Sequence, residues 1–375
     1  MRCSGPRDNR RRKRVRPSRA RELASREEDA SERFSAYYGL WIGHLTRCEP
    51  ALREMAELFL REATAQPDCP EALVAHRISG VTRWYFGDFA GAHDHFQKTI
   101  ELYNPALHAD FANRFGHDPR AGAEVFDAIA LWVLGSVDEA LRMADRALAD
   151  AESAAHAPTM AHELFFAAML GLFRCNPEAV ATYCEALADI VSRYDLPAFW
   201  AGHAAIFEGW AKWSAAAEKS SLAEMRRGLA IVREQGLVSN AVNFEAALAE
   251  AEASAGETDA GLRRLDDALA ALEHTEQRSY EAEMHRIRGE ILLKRDRADT
   301  AAAEQSLQAA IAIAQSQKAR SFELRAALSL AKLYRAANRD VDAHAVLAPA
   351  VEGFPPTQQF PELTEAQALL SPLNP

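Results

Sequence analysis

The sequence predicts an all-α superhelix, or solenoid, of about eight helical hairpins. One observation is a helix–turn–helix pattern that is clearest in GVTRWYFGDFAGAHDHFQKTI. Another is a small residue that recurs at equivalent places about every 40 residues, a spacing typical of stacked helical repeats. In addition, apolar residues follow the i, i+3, i+4, i+7 spacing of helices, and no segment alternates convincingly as a strand would.

Four residues define the hairpin pattern. They are Gly80, Gly87, Ala92 and Phe96. Gly87 marks the turn, and small Ala92 lets the second helix pack closely against the first. This spacing is typical of a tetratricopeptide-like hairpin, although the usual repeat has only about 34 residues. Because one repeat cannot bury its apolar face alone, the hairpins are expected to stack. The small residue recurs as Ala140, Ala179, Ser221, Gly261, Ala303 and Ala343.

The order of the elements follows from helix caps and turns. In the third hairpin, Ser136 and Glu139 predict a capping box. In the fourth, Asn176 is expected to cap the second helix, with Pro177 as its first residue. A last helix over 361–370 is expected to cover the open end of the stack. The eight hairpins are predicted over residues 32–65, 80–100, 123–151, 162–194, 199–236, 241–273, 281–317 and 321–354.

Charge is distributed unevenly along the chain. Residues 1–26 carry eleven Arg or Lys against two acidic residues, although the whole chain has a net charge of −11. Residues 1–27 therefore predict a disordered basic tail ahead of a solenoid over 28–375. The tail is either an arm for nucleic acid or another anionic surface, or an extension without a selected role. The acidic body does not suit nucleic acid, because its field repels phosphate.

The remaining composition indicates a cytoplasmic protein. Its five scattered cysteines are odd in number and form no CxxC pair, which favours reduced thiols. The chain lacks an apolar run of the roughly 18–20 residues that cross a bilayer. Its charged first residues do not resemble a secretory signal.

The sequence also lacks the motifs that carry common enzymatic chemistry. None of G-x-x-x-x-G-K-[ST], H-E-x-x-H or G-x-S-x-G occurs. His93 and His95 point to different faces of a helix, so they cannot chelate one ion together. His117 and Asp118 are compatible with a catalytic pair, but a local Asx-type turn explains them more simply. We therefore predict that the protein is not an enzyme and needs no metal or cofactor.

Several strings resemble one group of bacterial repeats. They are Tyr103-Asn104-Pro105, His108, Phe115-Gly116-His117-Asp118-Pro119, Glu208-Gly209-Trp210-Ala211, the run from Glu281 to Glu290, and the run from Ser321 to Ala327. Over residues 33–371 the chain resembles the C-terminal tetratricopeptide regions of large predicted ATPases, which often also carry a class III adenylate/guanylate cyclase domain. The resemblance implies the repeat module of a signalling system. It implies no catalysis here, because the ATPase and cyclase motifs are missing from this sequence.

Candidate binding residues lie near the ends of the first helices of several hairpins. Trp84, Trp132 and Trp213 each precede a predicted turn by three residues. In a regular stack these rings lie near the concave surface, where large aromatic side chains suit the binding of a peptide. The alternative is that each ring packs inside its own hairpin. Charged residues follow on later first helices, so the predicted groove also includes Arg286, Glu290, Arg325 and Lys332.

These observations predict a non-enzymatic scaffold that holds a protein or peptide partner in its concave groove. The alternative is a small-ligand sensor that regulates a cyclase or ATPase encoded separately or lost by truncation. Neither a membrane nor, for the repeat body, a nucleic acid is an expected partner. The sequence favours no particular oligomeric state.

Overall fold

A computed structural model describes residues 29–66, 68–275, 277–296, 298, 300–355 and 360–371. The predicted basic tail, 1–27, lies outside these residues. Every regular element of the described chain is a helix, and no strand occurs there, as the sequence predicts. The helices are α1 (Ala30–Arg47), α2 (Leu52–Thr64), α3 (Ala72–Tyr85), α4 (Phe89–Leu102), α5 (Pro105–His108), α6 (Phe111–Phe115), α7 (Pro119–Val133), α8 (Val137–Ala154), α9 (Ala157–Phe173), α10 (Pro177–Tyr194), α11 (Ala198–Ala216), α12 (Lys219–Glu234), α13 (Ala241–Ser254), α14 (Thr258–Thr275), α15 (Glu281–Arg295), α16 (Ala301–Ser316), α17 (Arg320–Ala336), α18 (Asp340–Glu352) and α19 (Pro361–Leu370).

The helices form a tetratricopeptide-like α–α superhelix. In the described part of the chain, eight hairpins follow one another, each made of a first and a second helix. They are α1–α2, α3–α4, α7–α8, α9–α10, α11–α12, α13–α14, α15–α16 and α17–α18. The short helices α5 and α6 belong to the connection between the second and third hairpins.

Small residues let the two helices of a hairpin approach closely. A Cβ atom added at Gly80 would lie 2.5 Å from the ring of Phe96, so only glycine fits there. In the fourth hairpin the buried residue is Val180, and the predicted Ala179 is wrong, because the cap at Asn176 sets the register of α10. The other predicted second-helix positions are buried, namely Ala92, Ala140, Ser221, Gly261, Ala303 and Ala343.

The turns and caps agree with the sequence in most places. The backbone of Gly87 and Gly135 has φ values of +79° and +97°, which glycine adopts without strain. The side chain of Asn176 accepts a hydrogen bond from the N–H of Ala179 at 3.0 Å, which confirms the predicted cap. Ser136 occupies the expected N-cap position but makes no side-chain capping bond, so the predicted capping box lacks its serine contact.

The superhelix closes on itself, because the first three hairpins contact the part of the chain that begins just before hairpin six. The N–H of Val238, in the connection that leads into hairpin six, donates to the carbonyl of Thr46 in hairpin one at 2.9 Å. The hydroxyl of Ser321 donates to the carbonyl of Trp132 at 2.5 Å and joins hairpins three and eight. A backbone bond also joins hairpin two to the connection that leads into hairpin seven.

An aromatic cluster seals the contact between the two superhelical turns. The ring of Phe322 on α17 lies edge-on to Trp132 and to Phe89, with centroids 5.7 Å and 6.5 Å apart. Tyr280 and Phe173 pack on Phe322 from the other hairpins, at 5.9 Å and 6.0 Å. We call the first helices of hairpins one to five the N-terminal half of the concave surface, and those of hairpins six to eight the C-terminal half.

The last helix covers the end of the stack, as predicted. Leu363 and Ala366 of α19 are buried in a small apolar cluster with residues of α17 and α18, including Leu328 and Leu347. A capping helix of this kind shields the apolar face that the eighth hairpin would otherwise expose.

Candidate functional site

A cleft of about 650 Å³ opens on the N-terminal half of the concave surface. Residues of α1, α3, α7, α9, α11 and α12 line it, so five consecutive hairpins contribute. The lining is mostly apolar and aromatic with a few polar groups, which is the usual composition of a ligand site. The lining residues are Tyr38, Trp41, Ile42, Leu45, Thr46, Arg77, Val81, Tyr85, Asn113, Arg114, Phe115, Gly116, His117, Phe126, His162, Phe165, Phe166, Phe199, Trp200, His203, Val232, Leu237, Ser239 and Asn240.

The connection between the second and third hairpins builds one wall of the cleft. Its Arg114 binds Glu71 at 2.7 Å and donates to the hydroxyl of Ser35 at 2.7 Å, which ties α6 to α1 and to the start of α3. The next residues, Gly116 and His117, then face the cleft. The connection is thus ordered, and the strings Tyr103–Pro105 and Phe115–Pro119 belong to it.

Asp118 has a structural role in this wall. Its carboxylate accepts hydrogen bonds from the N–H groups of Arg120 and Ala121 at 2.8 Å and 3.0 Å and caps α7. It also accepts from the hydroxyl of Tyr103 at 3.1 Å. The local-turn interpretation of His117-Asp118 is therefore the one that the geometry supports.

The segment between α12 and α13 builds the opposite wall. Leu237, Ser239 and Asn240 line the cleft, and the side chain of Asn240 accepts a hydrogen bond from the hydroxyl of Tyr85 at 2.9 Å. Because Val238 also bonds to α1, this wall depends on the closure of the superhelix.

An aromatic row forms the apolar part of the cleft. Phe165 of α9 lies at its centre, with ring centroids 4.7 Å from Phe166 and 5.8 Å from Trp200. Phe199 and Trp200 open α11 and are only half-buried, with centroids 4.7 Å apart. These two rings therefore present apolar surface that a ligand can cover.

Arg77 of α3 brings a buried positive charge into the same cleft. It is 2% exposed, and its Nη2 donates to the hydroxyl of Tyr38 at 3.0 Å. The guanidinium carbon also lies 5.8 Å from the ring centre of Trp41. Among the described residues no ion pair includes Arg77, and its Nε has no hydrogen-bond partner. Since buried charges are normally paired, this arrangement is unusual.

The buried carboxyl group of Glu163 forms no ion pair with Arg77 among the described residues. The field of Arg77 lowers the pKa of Glu163, but desolvation is the larger effect and raises that pKa well above its usual range. Burial thus favours the neutral form of this carboxyl group. Its oxygen lies 2.9 Å from Nδ1 of His162.

Burial also favours the neutral form of three histidines of the cleft. Burial lowers the pKa of His162 and of His203 to about 3, and it lowers the pKa of His117 well below its usual value. The rings of His117 and His162 stack with centroids 4.0 Å apart. His117 Nε2 and His203 Nδ1 have no hydrogen-bond partner among the described residues. The cleft thus offers imidazole nitrogens beside two arginines, of which Arg114 is paired with Glu71 and Arg77 is not.

A larger depression of about 780 Å³ lies between α10 and α11. Alanine is the commonest residue of its lining, and its Lys212 is already paired with Glu208 at 2.8 Å. This depression has no aromatic ring in its lining, so the aromatic cleft is the better candidate for a binding site.

The predicted tryptophan series is distributed between the core and the surface. Trp84 is fully buried and packs on Tyr85 and Phe126, and Trp132 is 2% exposed because Phe322 covers it. Neither ring faces an open groove in this structure, because residues of hairpins two and three enclose Trp84 and Phe322 of the eighth hairpin covers Trp132. Trp213 on α11 is half-buried and lies outside the cleft lining.

The predicted charged residues of the C-terminal half contact one another rather than an open groove. Arg286 binds Glu283 at 3.0 Å and Glu290 at 2.8 Å. Arg325 binds Glu283 at 3.3 Å and donates from Nε to Glu362 of α19 at 2.8 Å. Arg286, Glu290 and Arg325 are therefore engaged within the chain.

Lys332, the last of the predicted site residues, is exposed and forms an ion pair with Glu365 of α19 at 2.7 Å. Because α19 supplies both this carboxylate and that of Glu362, the capping helix covers the predicted charged groove.

Two residues that sequence reasoning missed are the most informative in the cleft. Trp200 lies in the first turn of α11, whereas the predicted tryptophans each lie three residues before a predicted turn. Arg77 is a charged residue inside the apolar run ALVAHRISGV, and that interruption was a signal for a buried charge.

Two other features are absent from the part of the chain that the structure describes. The described residues contain no group of three or more His, Cys, Asp or Glu residues arranged to hold a metal ion. None of the helices formed by these residues is both long enough and apolar enough to cross a membrane.

Comparison with known sequences finds one long relative. No family model matches the chain. An uncharacterized protein of Rhizobium meliloti (strain 1021) is 27% identical over 319 residues, which make up 83% of this chain and 30% of the relative. The chain thus spans less than a third of the length of that curated relative.

Comparison with solved structures finds the same repeat architecture. A Rap protein complexed with Competence and Sporulation Factor has a TM-score of 0.64 and 13% identity, covering 94% of this chain and 91% of that one. RapI in its apo form has a TM-score of 0.45 and 12% identity, covering 88% and 89%. The first of these similarities shows the fold of this chain and nothing beyond it.

Proposed function

We propose that this chain is a non-enzymatic scaffold that binds a segment of a partner protein, or a peptide, in the aromatic cleft. The observation that carries this proposal is the row of aromatic side chains that consecutive hairpins present there. Large aromatic side chains in concave sites supply much of the binding energy of peptide grooves. The C-terminal half is less suitable, because its charged side chains already bind one another.

One solved structure of this fold gives independent support. The Rap protein described above was solved as a complex with Competence and Sporulation Factor. A helical superhelix of this architecture is therefore able to bind another molecule, although the low identity transfers no contact residue to this chain.

We further propose that the scaffold serves as the repeat module of a bacterial signalling system of the cyclase or ATPase type. The strings Tyr103–Pro105 and Phe115–Pro119, on which the resemblance depends, belong to the connection that forms one wall of the cleft. The relative from Rhizobium meliloti is also much longer than the matched segment, as a multidomain protein would be.

The second candidate function is a small-ligand sensor. The cleft volume of about 650 Å³ lies within the range of ordinary small-molecule sites, about 300–1,000 Å³. In that case the ligand would hold the two superhelical turns together and so affect a regulated partner.

The test is selection of binders from a library of random short peptides displayed on phage, with the full chain as bait. Affinities of the selected peptides are then measured by fluorescence polarisation. Replacing Trp200→Ala removes an aromatic ring from the cleft and is expected to weaken binding by at least about tenfold, as loss of an interface anchor does.

Trp213→Ala is the matched control. Trp213 lies on the same helix, α11, and is also half-buried, but it lies outside the cleft lining. We expect this variant to keep its affinity and its helical circular-dichroism signal. If peptides lose affinity with Trp213→Ala and not with Trp200→Ala, the binding surface lies elsewhere. If no peptide is selected while metabolites raise the melting temperature, the sensor function replaces the scaffold.

A further inference from the structure

We propose that the cleft recognises a peptide segment that carries a carboxylate, and that Arg77 binds this carboxylate while the Trp200 and Phe165 region holds a neighbouring apolar side chain. The inference rests on the proposed function, because it names the chemistry of the segment bound in the same cleft.

Arg77 makes fewer hydrogen bonds than its guanidinium group can form. A guanidinium carries five N–H donors in a planar fork. Among the described residues the structure gives Arg77 one hydrogen bond, to the hydroxyl of Tyr38, and leaves Nε without a partner. The ring of Trp41 attracts the cation but neither accepts these hydrogen bonds nor neutralises the charge. Arg77 therefore has the capacity to bind an acidic group.

Two other buried arginines of the concave surface, Arg286 and Arg325, differ from Arg77 because they form ion pairs. Arg286 is 8% exposed and binds Glu283 and Glu290, and Arg325 is 7% exposed and binds Glu283 and Glu362. The chain thus supplies carboxylates wherever it buries these arginines. Arg77 is more deeply buried than either, at 2% exposed, yet no ion pair among the described residues includes it.

The composition of the cleft lining also favours an acidic ligand. The described lining contains two arginines and no Asp or Glu; Arg114 is already paired with Glu71, whereas Arg77 has only the hydroxyl of Tyr38. A single planar carboxylate matches one guanidinium in charge and in fork geometry, whereas a doubly charged phosphate would leave one charge without a partner. The adjoining aromatic row extends over several hairpins, which suits a side chain on the same peptide rather than an isolated acid.

The experiment uses the full chain and the peptides obtained by phage selection. We expect the cleft-dependent peptides to share an aspartate or glutamate near a large apolar residue. Changing that acid to its amide is expected to reduce affinity by about 10- to 100-fold, the usual effect of losing a charge-assisted hydrogen bond. Because this change is made in the peptide, it leaves the fold of the protein untouched.

Variants of the protein then locate the effect at Arg77. Arg77→Met is expected to reduce affinity for the acidic peptide to the same extent, and to leave binding of the amide peptide almost unchanged. Such coupling in a double-mutant cycle identifies a direct contact. Arg288→Met is the control, since Arg288 is a partly exposed arginine of α15 that binds Asp266 and is not part of the cleft lining.

The stability of Arg77→Met gives a second readout. Removing an unpaired buried charge is expected to keep or raise the urea midpoint, whereas loss of a structural arginine would lower it. Selected peptides that need Trp200 but contain no acid, or that bind Arg77→Met normally, would overturn this inference and leave the proposed function intact. Absence of any Trp200-dependent peptide would overturn both.

A small acid is a separate outcome of the same test. N-acetyltryptophan and its primary amide share one ring and differ in the carboxylate. If the acid binds in an Arg77-dependent manner and no peptide is selected, the cleft is a small-acid site, and the peptide proposal is wrong.

Discussion

The two halves of the concave surface differ in whether their buried arginines form ion pairs within the chain. In the C-terminal half, Arg286 and Arg325 share Glu283, a carboxylate that is only 1% exposed, and α19 adds Glu362. In the N-terminal half, Arg77 lies among aromatic rings, and no ion pair of the described residues includes it. Both halves come from the same repeat, so the difference lies in what covers them.

The difference indicates that one half is completed by the chain itself and the other is open to a ligand. The C-terminal half has the capping helix α19, whose Glu362 and Glu365 bind Arg325 and Lys332. The N-terminal half has two walls and an aromatic row, and half-buried Phe199 and Trp200 border an unfilled cleft. Arg77 has no carboxylate partner among the described residues, and the proposed recognition of an acidic segment depends on this difference from Arg286 and Arg325.

The largest effect is expected from disrupting the aromatic cluster around Phe322 that joins the two superhelical turns. Trp132→Ala removes a fully buried ring that packs on Phe322 and beside Phe173. The cavity left behind is expected to lower the free energy of unfolding by about 3–5 kcal/mol, measured by urea denaturation. Trp200→Ala should lose far less stability, because its ring is half-exposed. Equal losses would mean that the cleft is part of the core.

A smaller but clear effect is expected from the charged half. Arg325→Met leaves the buried Glu283 with fewer partners and Glu362 without its arginine. Removing one member of a buried ion pair destabilises by about 3 kcal/mol or more. The control is Lys332→Met, whose exposed ion pair with Glu365 contributes about 0–1 kcal/mol. A loss for Arg325→Met no greater than that of the control would show that water reaches the charged cluster.

The architecture was predictable from the sequence because its determinants are local. Glycine turns such as Gly87 and Gly135, the cap at Asn176 and the small residue at Ala92 each act within one hairpin. Eight hairpins and a capping helix follow from repeating that local pattern. The small error at Ala179 arose because the cap, rather than the spacing of alanines, sets the register of α10.

The site was less predictable because it depends on contacts between distant hairpins. The position of Trp132 in its repeat resembles a groove position, but Phe322 of the eighth hairpin covers it. The spacing of residues in one repeat carries no information about how many hairpins complete a superhelical turn. The candidate cleft is also lined by less regular parts of the chain, such as the connection at His117 and the first turn of α11 at Trp200.

The pH dependence of stability tests whether water reaches His203 in the cleft of the N-terminal half. Burial lowers the pKa of His203 to about 3, and the rings of Phe165 and Phe244 that enclose it do not titrate. The unfolded chain has an ordinary histidine pKa of about 6.5 and therefore binds a proton that the folded chain does not bind between these values. Stability is then fully present above about pH 6.5 and decreases as the pH falls toward 3.

His203→Phe removes this titration and keeps a ring at the position. Between pH 7.5 and pH 5, the wild type is expected to lose about 2 kcal/mol more unfolding free energy than the variant. His162 contributes in the same direction, and Glu163, whose pKa is raised, contributes in the opposite direction, but both are present in the two proteins and cancel in the difference. Parallel urea titrations at the two pH values measure it. Equal losses would mean that His203 is protonated in the folded chain, and hence that solvent already occupies the floor of the cleft where the proposed ligand is expected to bind.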